Sequence, residues 1–260
     1  MKEILDITYK TINGKDLMLD MFLPDDAQNA PLIFWIHGGA WMMGDRKWCG
    51  LQEQTRRGYA VVSVDYRLSD EAAFPACVVD LKDALHFLRK NAAQYPIDMS
   101  RVCAAGDSAG GHLAALMGVS AGHADWEPAG ADCRVQAVID FYGPTHLGWH
   151  YWPGTEDNEA ISRQLLGEST RTRKGMILLA AANPLTYIDG SEPPFFIYHG
   201  DADDVVPIGQ SHMLRNELEN RGVKVTMHTA FGVGHTMEQL TPAVSALIGE
   251  FLDAHVKHPR

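Results

Sequence analysis

Three residues far apart in this sequence, Ser108, Asp203 and His235, have the types and settings of a nucleophile, an orienting acid and a base. Ser108 lies in Gly106-Asp107-Ser108-Ala109-Gly110, a G-x-S-x-G pattern between a short apolar run and a helical one. Read as strand, sharp turn and helix, the pattern puts the serine on a strained turn, with its hydroxyl exposed and its backbone at a helix amino end that favours negative charge. A serine hydroxyl is a weak nucleophile, so it needs a base within hydrogen-bond reach and a third group to orient that base. With the serine on such a strand-to-helix turn, acid and histidine follow in loops after later strands, in the order Ser, acid, His. His199-Gly200-Asp201-Ala202-Asp203-Asp204-Val205-Val206-Pro207 supplies the acid, and Phe231-Gly232-Val233-Gly234-His235 the histidine. Asp203 is preferred for its place as fifth residue of an H-G-x-x-D-x-x-V-P pattern, with Asp204 next; Asp201 and Asp204 are expected to cap or face solvent.

Attack on a carbonyl also needs donors for the developing oxyanion, each typically worth about 3 to 4 kcal/mol of barrier. Gly38 and Gly39, directly after an apolar run, can turn their N–H groups inward, and Ala109 follows the nucleophile. Flat apolar faces for a sugar or an aromatic acid are available in Trp41 and in the cluster Trp149, Tyr151 and Trp152. His112 is read as a packed core histidine, and His37 and His199 as braces of their loops. Asp65, Tyr66 and Arg67 are expected to tie loops together.

The elements that must position these residues alternate along the chain. Ile4 to Lys10 and Leu17 to Phe22 read as a hairpin around Asn13-Gly14. Leu32 to Ile36, Ala60 to Val64, the run before Ser108, Ala137 to Phe141 and Phe195 to Tyr198 read as strands buried on both faces, with Val223 to Thr229 as the last strand. Helices are expected over Cys49 to Arg57, after Phe74-Pro75 (Val78, Leu81, Leu85 and Leu88 at helical spacing), after Ser108, and over Gly209 to Arg221 and Pro242 to Ala254. The alternation implies a parallel α/β sheet in one domain over 1–260. It fails over 145–183, which reads as a small insertion above the carboxyl edge of the sheet with a short helical run from Ile161 to Leu166.

A net charge of −11 without a basic block argues against nucleic acid or an anionic membrane as partner. Cys49, Cys77, Cys103 and Cys133 are too scattered for a zinc site or a disulfide framework, and the twelve histidines show no H-E-x-x-H spacing. No metal is expected. The amino terminus lacks the apolar core of a secretory signal and no run is long enough to span a bilayer, so a cytoplasmic protein is expected.

His37-Gly38-Gly39-Ala40-Trp41, Asp65-Tyr66-Arg67-Leu68, the GDSAGGHLAAL run from Gly106, HGDADDVVP from His199 and GVGH from Gly232 together resemble the α/β-hydrolase superfamily. The branch is that of the hormone-sensitive-lipase-like esterases, with bacterial feruloyl and acetyl-xylan esterases nearest in pattern. The resemblance implies an α/β-hydrolase fold with an eight-stranded, mostly parallel sheet and helices on both faces. It also implies no cofactor and hydrolysis of carboxylic esters through an acyl-enzyme, on a small-molecule or oligosaccharide ester. Ala40 stands where many relatives carry a third glycine, which leaves the Gly38 and Gly39 donors untouched. The large amino-terminal cap helices of many relatives have no counterpart here, which favours short acyl groups over long lipids. A formamidase of the kynurenine type or a small peptidase would use the same machinery on an amide. Non-enzymatic receptors on this fold lose the histidine that this chain keeps as His235.

Overall fold

The computed structural model describes residues 1–123, 125–148, 156–237 and 240–257. Asn13 and Gly14, both at positive φ, close a hairpin between β1 (Lys2–Ile12) and β2 (Lys15–Leu23), with Ile12 paired to Lys15. Such a turn matches the right-handed twist of its strands, which is why Asn-Gly signals it. β3 (Ala30–Ile36), β4 (Ala60–Val64), β5 (Ile97–Asp107), β6 (Ala137–Phe141), β7 (Phe195–Gly200) and β8 (Val225–Ala230) complete an eight-stranded sheet in the order β1-β2-β4-β3-β5-β6-β7-β8. β2 pairs antiparallel with β4, and from β4 to β8 every pairing is parallel.

Alternate residues of the inner strands feed two separate cores. Leu32, Phe34 and Ile36 of β3 join Val62, Val102, Ala104, Val138 and Ile197 on one face. Ile33 and Trp35 join Val61, Cys103, Ile139, Phe196 and Tyr198 on the other. The first face is covered by α1 (Ala76–Lys90), α2 (Ala109–Val119) and α5 (Gly209–Asn220) through Leu81, Leu85, Leu113, Leu116, Leu214 and Leu218. The second is covered by α6 (Pro242–Leu252) through Val244, Ile248, Phe251 and Leu252. Each buried aliphatic or aromatic side chain contributes roughly 1.5–3 kcal/mol, so both cores fix the strand ends on which loops are hung. No described helix is long and apolar enough to cross a membrane.

Two expectations are corrected. The stretch 49–57 is no α-helix but a 3-10 helix over Gln52–Arg57. Leu51 is left-handed at φ 59, so no regular helix runs through it. Between β6 and β7, α3 (Glu156–Leu166) is joined by α4 (Arg173–Ala182), whose first turn is capped by the Thr172 hydroxyl accepting from the Gly175 N–H at 2.9 Å. The sequence reading placed only the run from Ile161 to Leu166 in a helix here and missed α4 and its cap.

Candidate active site

β5 lies between β3 and β6 and ends at Asp107; Ser108 follows at φ 53, ψ −119, and α2 begins at Ala109. A left-handed non-glycine residue is strained and persists only when its surroundings over-determine it. Here they do. The Ser108 N–H donates to the Phe141 carbonyl of β6 at 2.8 Å, and the Ser108 carbonyl accepts from the His112 N–H at 3.1 Å. Gly106 and Gly110 allow α2 to press onto the strands. A Cβ on Gly106 would lie 2.6 Å from the Ile36 carbonyl oxygen, and one on Gly110 2.7 Å from that of His37.

The loops after β7 and β8 deliver the other two groups. His235 Nε2 is 2.9 Å from Ser108 Oγ, and His235 Nδ1 is 2.7 Å from Asp203 Oδ2. Asp203 Oδ1 accepts from the N–H groups of Val205 and Val206 at 2.9 and 2.8 Å. Burial alone would raise the Asp203 pKa; hydrogen bonding from His199, His235 and the Val206 N–H outweighs it and holds the carboxyl well below the usual range. The neighbouring acids act otherwise. Asp201 accepts the Gly232 N–H at 2.6 Å and so ties the acid loop to the histidine loop, while Asp204 is exposed. The Tyr142 ring, 4.5 Å from that of His235, packs beside the imidazole.

The donors for an oxyanion differ from the sequence reading. The Gly38 N–H is taken by Asp107 Oδ1 at 2.9 Å, so Gly38 has no donor to offer. Asp107 is largely buried, and that burial pushes its carboxyl up despite this bond. Among the described hydrogen bonds none uses the N–H of Gly39 or of Ala40, and Ala109 in the first turn of α2 has no intrahelical acceptor. Gly39, Ala40 and Ala109 are therefore the N–H groups beside Ser108 that no described hydrogen bond uses. The signal for Ala40 was the aspartate of G-D-S, which consumes the first glycine of the pair.

Trp41 is also corrected. At φ 59 its side chain turns inward, is 1% exposed and stands edge-on to His112 with ring centroids 5.1 Å apart, so it presents no face to a ligand. Trp149, Tyr151 and Trp152 lie outside the described residues. His112 is the packed histidine expected: its ring donates to the Ala182 carbonyl at 2.7 Å, and burial drives its pKa down to about 4. His37 stacks on Tyr66 with centroids 4.4 Å apart, and the Tyr66 hydroxyl donates to the His37 carbonyl at 3.0 Å.

Charges fix the loop that follows. Arg46 donates to Asp20 at 2.9 Å, to Asp65 at 3.0 Å and to Asp6, and its own N–H reaches Asp65 Oδ1 at 2.9 Å. Arg67 grips the buried Asp80 with two nitrogens at 2.7 and 2.9 Å, and Lys10 reaches the same carboxylate at 2.7 Å.

Sheet order, parallel crossovers and a serine on a strained strand-to-helix turn define an α/β-hydrolase. The family model described as BD-FAE matches residues 19–218, and the chain belongs to that family. It is 30% identical to the esterase LipQ of Mycobacterium tuberculosis over 94% of this chain and 61% of the relative. It is 25% identical to a probable isoprenylcysteine alpha-carbonyl methylesterase of Arabidopsis thaliana over 84% of this chain and 48% of that protein. The chain thus spans about half to three fifths of the length of these relatives. Among solved structures, a truncated carbohydrate esterase from gut microbiota superposes with a TM-score of 0.85 at 29% identity, over 97% of this chain and 95% of that one. Esterase Est2 of Thermogutta terrifontis superposes with a TM-score of 0.77 at 26% identity, over 95% and 91%.

Proposed function

We propose that this protein is a serine carboxylesterase. His235 Nε2 takes the Ser108 proton as Oγ attacks the ester carbonyl, and Asp203 orients the imidazole and stabilises its charged form. The N–H groups of Gly39, Ala40 and Ala109 receive the oxyanion. The tetrahedral intermediate collapses, the C–O bond to the alcohol breaks, and His235 returns its proton to the leaving oxygen. Water then attacks the acyl-enzyme by the same route and releases the acid. What carries the reading is the unbroken chain of contacts, 2.9 Å from Ser108 to His235 and 2.7 Å from His235 to Asp203.

Short-acyl or hydroxycinnamoyl esters are the substrates we assign, acetyl or feruloyl groups on plant-derived oligosaccharides in particular. The family match and the likeness to a gut carbohydrate esterase support that class. The segment 145–183 acts in this reading as a small cap, which suits a short acyl chain.

Ser108→Ala is expected to abolish turnover of p-nitrophenyl acetate with the fold unchanged by circular dichroism. Retained turnover in that variant defeats the assignment. Rates on phenyl acetate, acetylated xylo-oligosaccharide, methyl ferulate and N-formylkynurenine then sort the substrate class. The acetyl and feruloyl arms are expected to lead, and a dominant N-formylkynurenine rate would make the enzyme an amidase.

A further inference from the structure

Behind Asp203 lies a second histidine for which the esterase mechanism has no use. His199, on β7 four residues ahead of the acid, is fully buried, as are the side chains of Asp203 and Ser211 around it. Its Nε2 is 2.8 Å from the Val206 carbonyl oxygen and 3.2 Å from Asp203 Oδ2, the same carboxylate oxygen that His235 uses. A carbonyl oxygen can only accept, so Nε2 carries the hydrogen. On the far side of the ring, Nδ1 is 2.7 Å from Ser211 Oγ, a hydroxyl able to donate.

We propose that His199 is a positioning residue for the Asp203–His235 pair. Its single Nε2–H is shared, with the short arm to the Val206 carbonyl at 2.8 Å and the long arm toward Asp203 Oδ2 at 3.2 Å, and the tautomer is held from behind by the Ser211 hydroxyl. This inference rests on the esterase reading. Oδ1 is already fixed by two backbone N–H groups; without a second donor on Oδ2, the remaining hold on that oxygen is His235 itself, the group that must change charge during the reaction. Val206 closes the arrangement, because its N–H donates to Oδ1 while its carbonyl accepts from His199.

The arrangement has a consequence that simple bracing lacks. A second N–H on Oδ2 draws on the same negative charge that stabilises a protonated His235, so it weakens that stabilisation. With the donor removed, the acid limb of the rate is expected at higher pH. The other groups facing this pair are Asp140 on β6 and His212 on α5, both within the field of His199, Asp107, within the field of His235, and the Tyr142 ring, which packs near both imidazoles. All remain in place when His199 alone is changed.

The test uses two variants, with kcat and KM on p-nitrophenyl acetate measured against pH and normalised to active enzyme by burst titration. His199→Leu removes the donor; His199→Gln restores an amide N–H at similar reach. In His199→Leu kcat is expected to fall about tenfold, the worth of one hydrogen bond, with KM little changed and the acid limb at higher pH. His199→Gln is expected to return the limb to its wild-type position. A limb that stays put in His199→Leu, or that moves equally in both variants, overturns the proposal. Should the variants fail to fold, long-range 1H–15N spectra of the wild-type imidazoles at neutral pH decide it: a His199 proton on Nε2 alone is expected, and one on Nδ1 overturns the proposal. Turnover surviving in Ser108→Ala would defeat the esterase reading itself; an inactive Ser108→Ala with an unmoved limb defeats only this inference.

Discussion

The two flanks of Ser108 are held by different physics. On the oxyanion side, the loop after β3 makes few backbone bonds and is anchored by charge: Arg46 reaches Asp6 on β1, Asp20 on β2 and Asp65 after β4. On the base side, the elbow continues β5 and is fixed by close backbone approach at Gly106 and Gly110. Its buried ionisable groups, Asp140 and His112, are pushed by burial toward their neutral forms. A loop that must leave N–H groups unpaired for an anion cannot be held by those N–H groups, so side chains anchored elsewhere do the holding. A turn inside the sheet is held by the exclusion of atoms.

Steric fixation should therefore be the harder of the two to disturb without collapse. Gly110→Ala puts a Cβ against the main-chain oxygens of Ile36 and His37, neither of which can swing aside. A loss of more than about 3 kcal/mol is expected in urea denaturation, together with loss of activity. Gly209→Ala at the start of α5, where a Cβ meets nothing within 4 Å, is the control and should be neutral or stabilising by up to about 1 kcal/mol. Equal effects at both glycines would remove the distinction.

On the charged flank, Arg46→Met leaves Asp20 and Asp65 facing each other with little solvent, at side-chain exposures of 7% and 17%. The expected cost is about 2 kcal/mol, discounted from the roughly 3–5 kcal/mol of a fully buried pair because solvent reaches all three groups. More telling is activity: kcat on p-nitrophenyl acetate should fall at least about tenfold in the folded fraction, as the Gly39 and Ala40 N–H groups drift from an oxyanion. Unchanged kcat would show that the loop keeps its shape without its anchor.

Much of this was legible in the residues. β3, β4, β6 and β7 stood out as continuous apolar runs because alternate side chains enter two cores, so no polar face interrupts them. Ser108, Asp203 and His235 could be picked out because each sits in a loop pattern whose glycines and position report the turn. The donor set was not, since the Gly38 N–H is claimed by the Asp107 carboxylate 69 residues away across the β3–β5 pairing, a link between two motifs that neither motif shows by itself. Trp41 misled for a related reason: its residue type suggests a binding face, but a left-handed backbone angle turns it toward His112. α4 was hidden because its cap, Thr172, stands among Arg171, Arg173 and Lys174, ahead of the apolar half that starts at Met176.

Titration sharpens the base side. Burial raises the Asp140 pKa to about 6, against about 3.9 when unfolded, so its penalty is absent below the unfolded value and grows as pH rises toward 6. Burial lowers the His112 pKa to about 4, against about 6.5 when unfolded, so its contribution is complete above 6.5 and lost as pH falls toward 4. The two slopes oppose each other in one window, so each offsets the other there. Asp140→Asn keeps an oxygen for the Gly143 N–H, 2.8 Å away, and removes one slope. Its stability relative to wild type should then drop by on the order of 2 kcal/mol between about pH 6.5 and pH 4, read from urea midpoints. Parallel curves for the two proteins would mean that Asp140 is ionised throughout.

The three carboxylates around Arg46 are not equal, and the smallest effect is expected at the most exposed. Asp6 is 70% exposed on its side chain, where water screens the pair and leaves little net gain. It is also left-handed at φ 57, a conformation that asparagine adopts readily, and its N–H donates to Asp20 Oδ1 at 2.8 Å whatever the side chain. Asp6→Asn should therefore change stability by less than about 0.5 kcal/mol and leave kcat unaltered. Asp20→Asn, which weakens the nearly buried contact with the same guanidinium, should cost more and lower kcat. If Asp6→Asn instead matched Asp20→Asn, the anchor would act through its total charge and not through the carboxylates that solvent cannot reach.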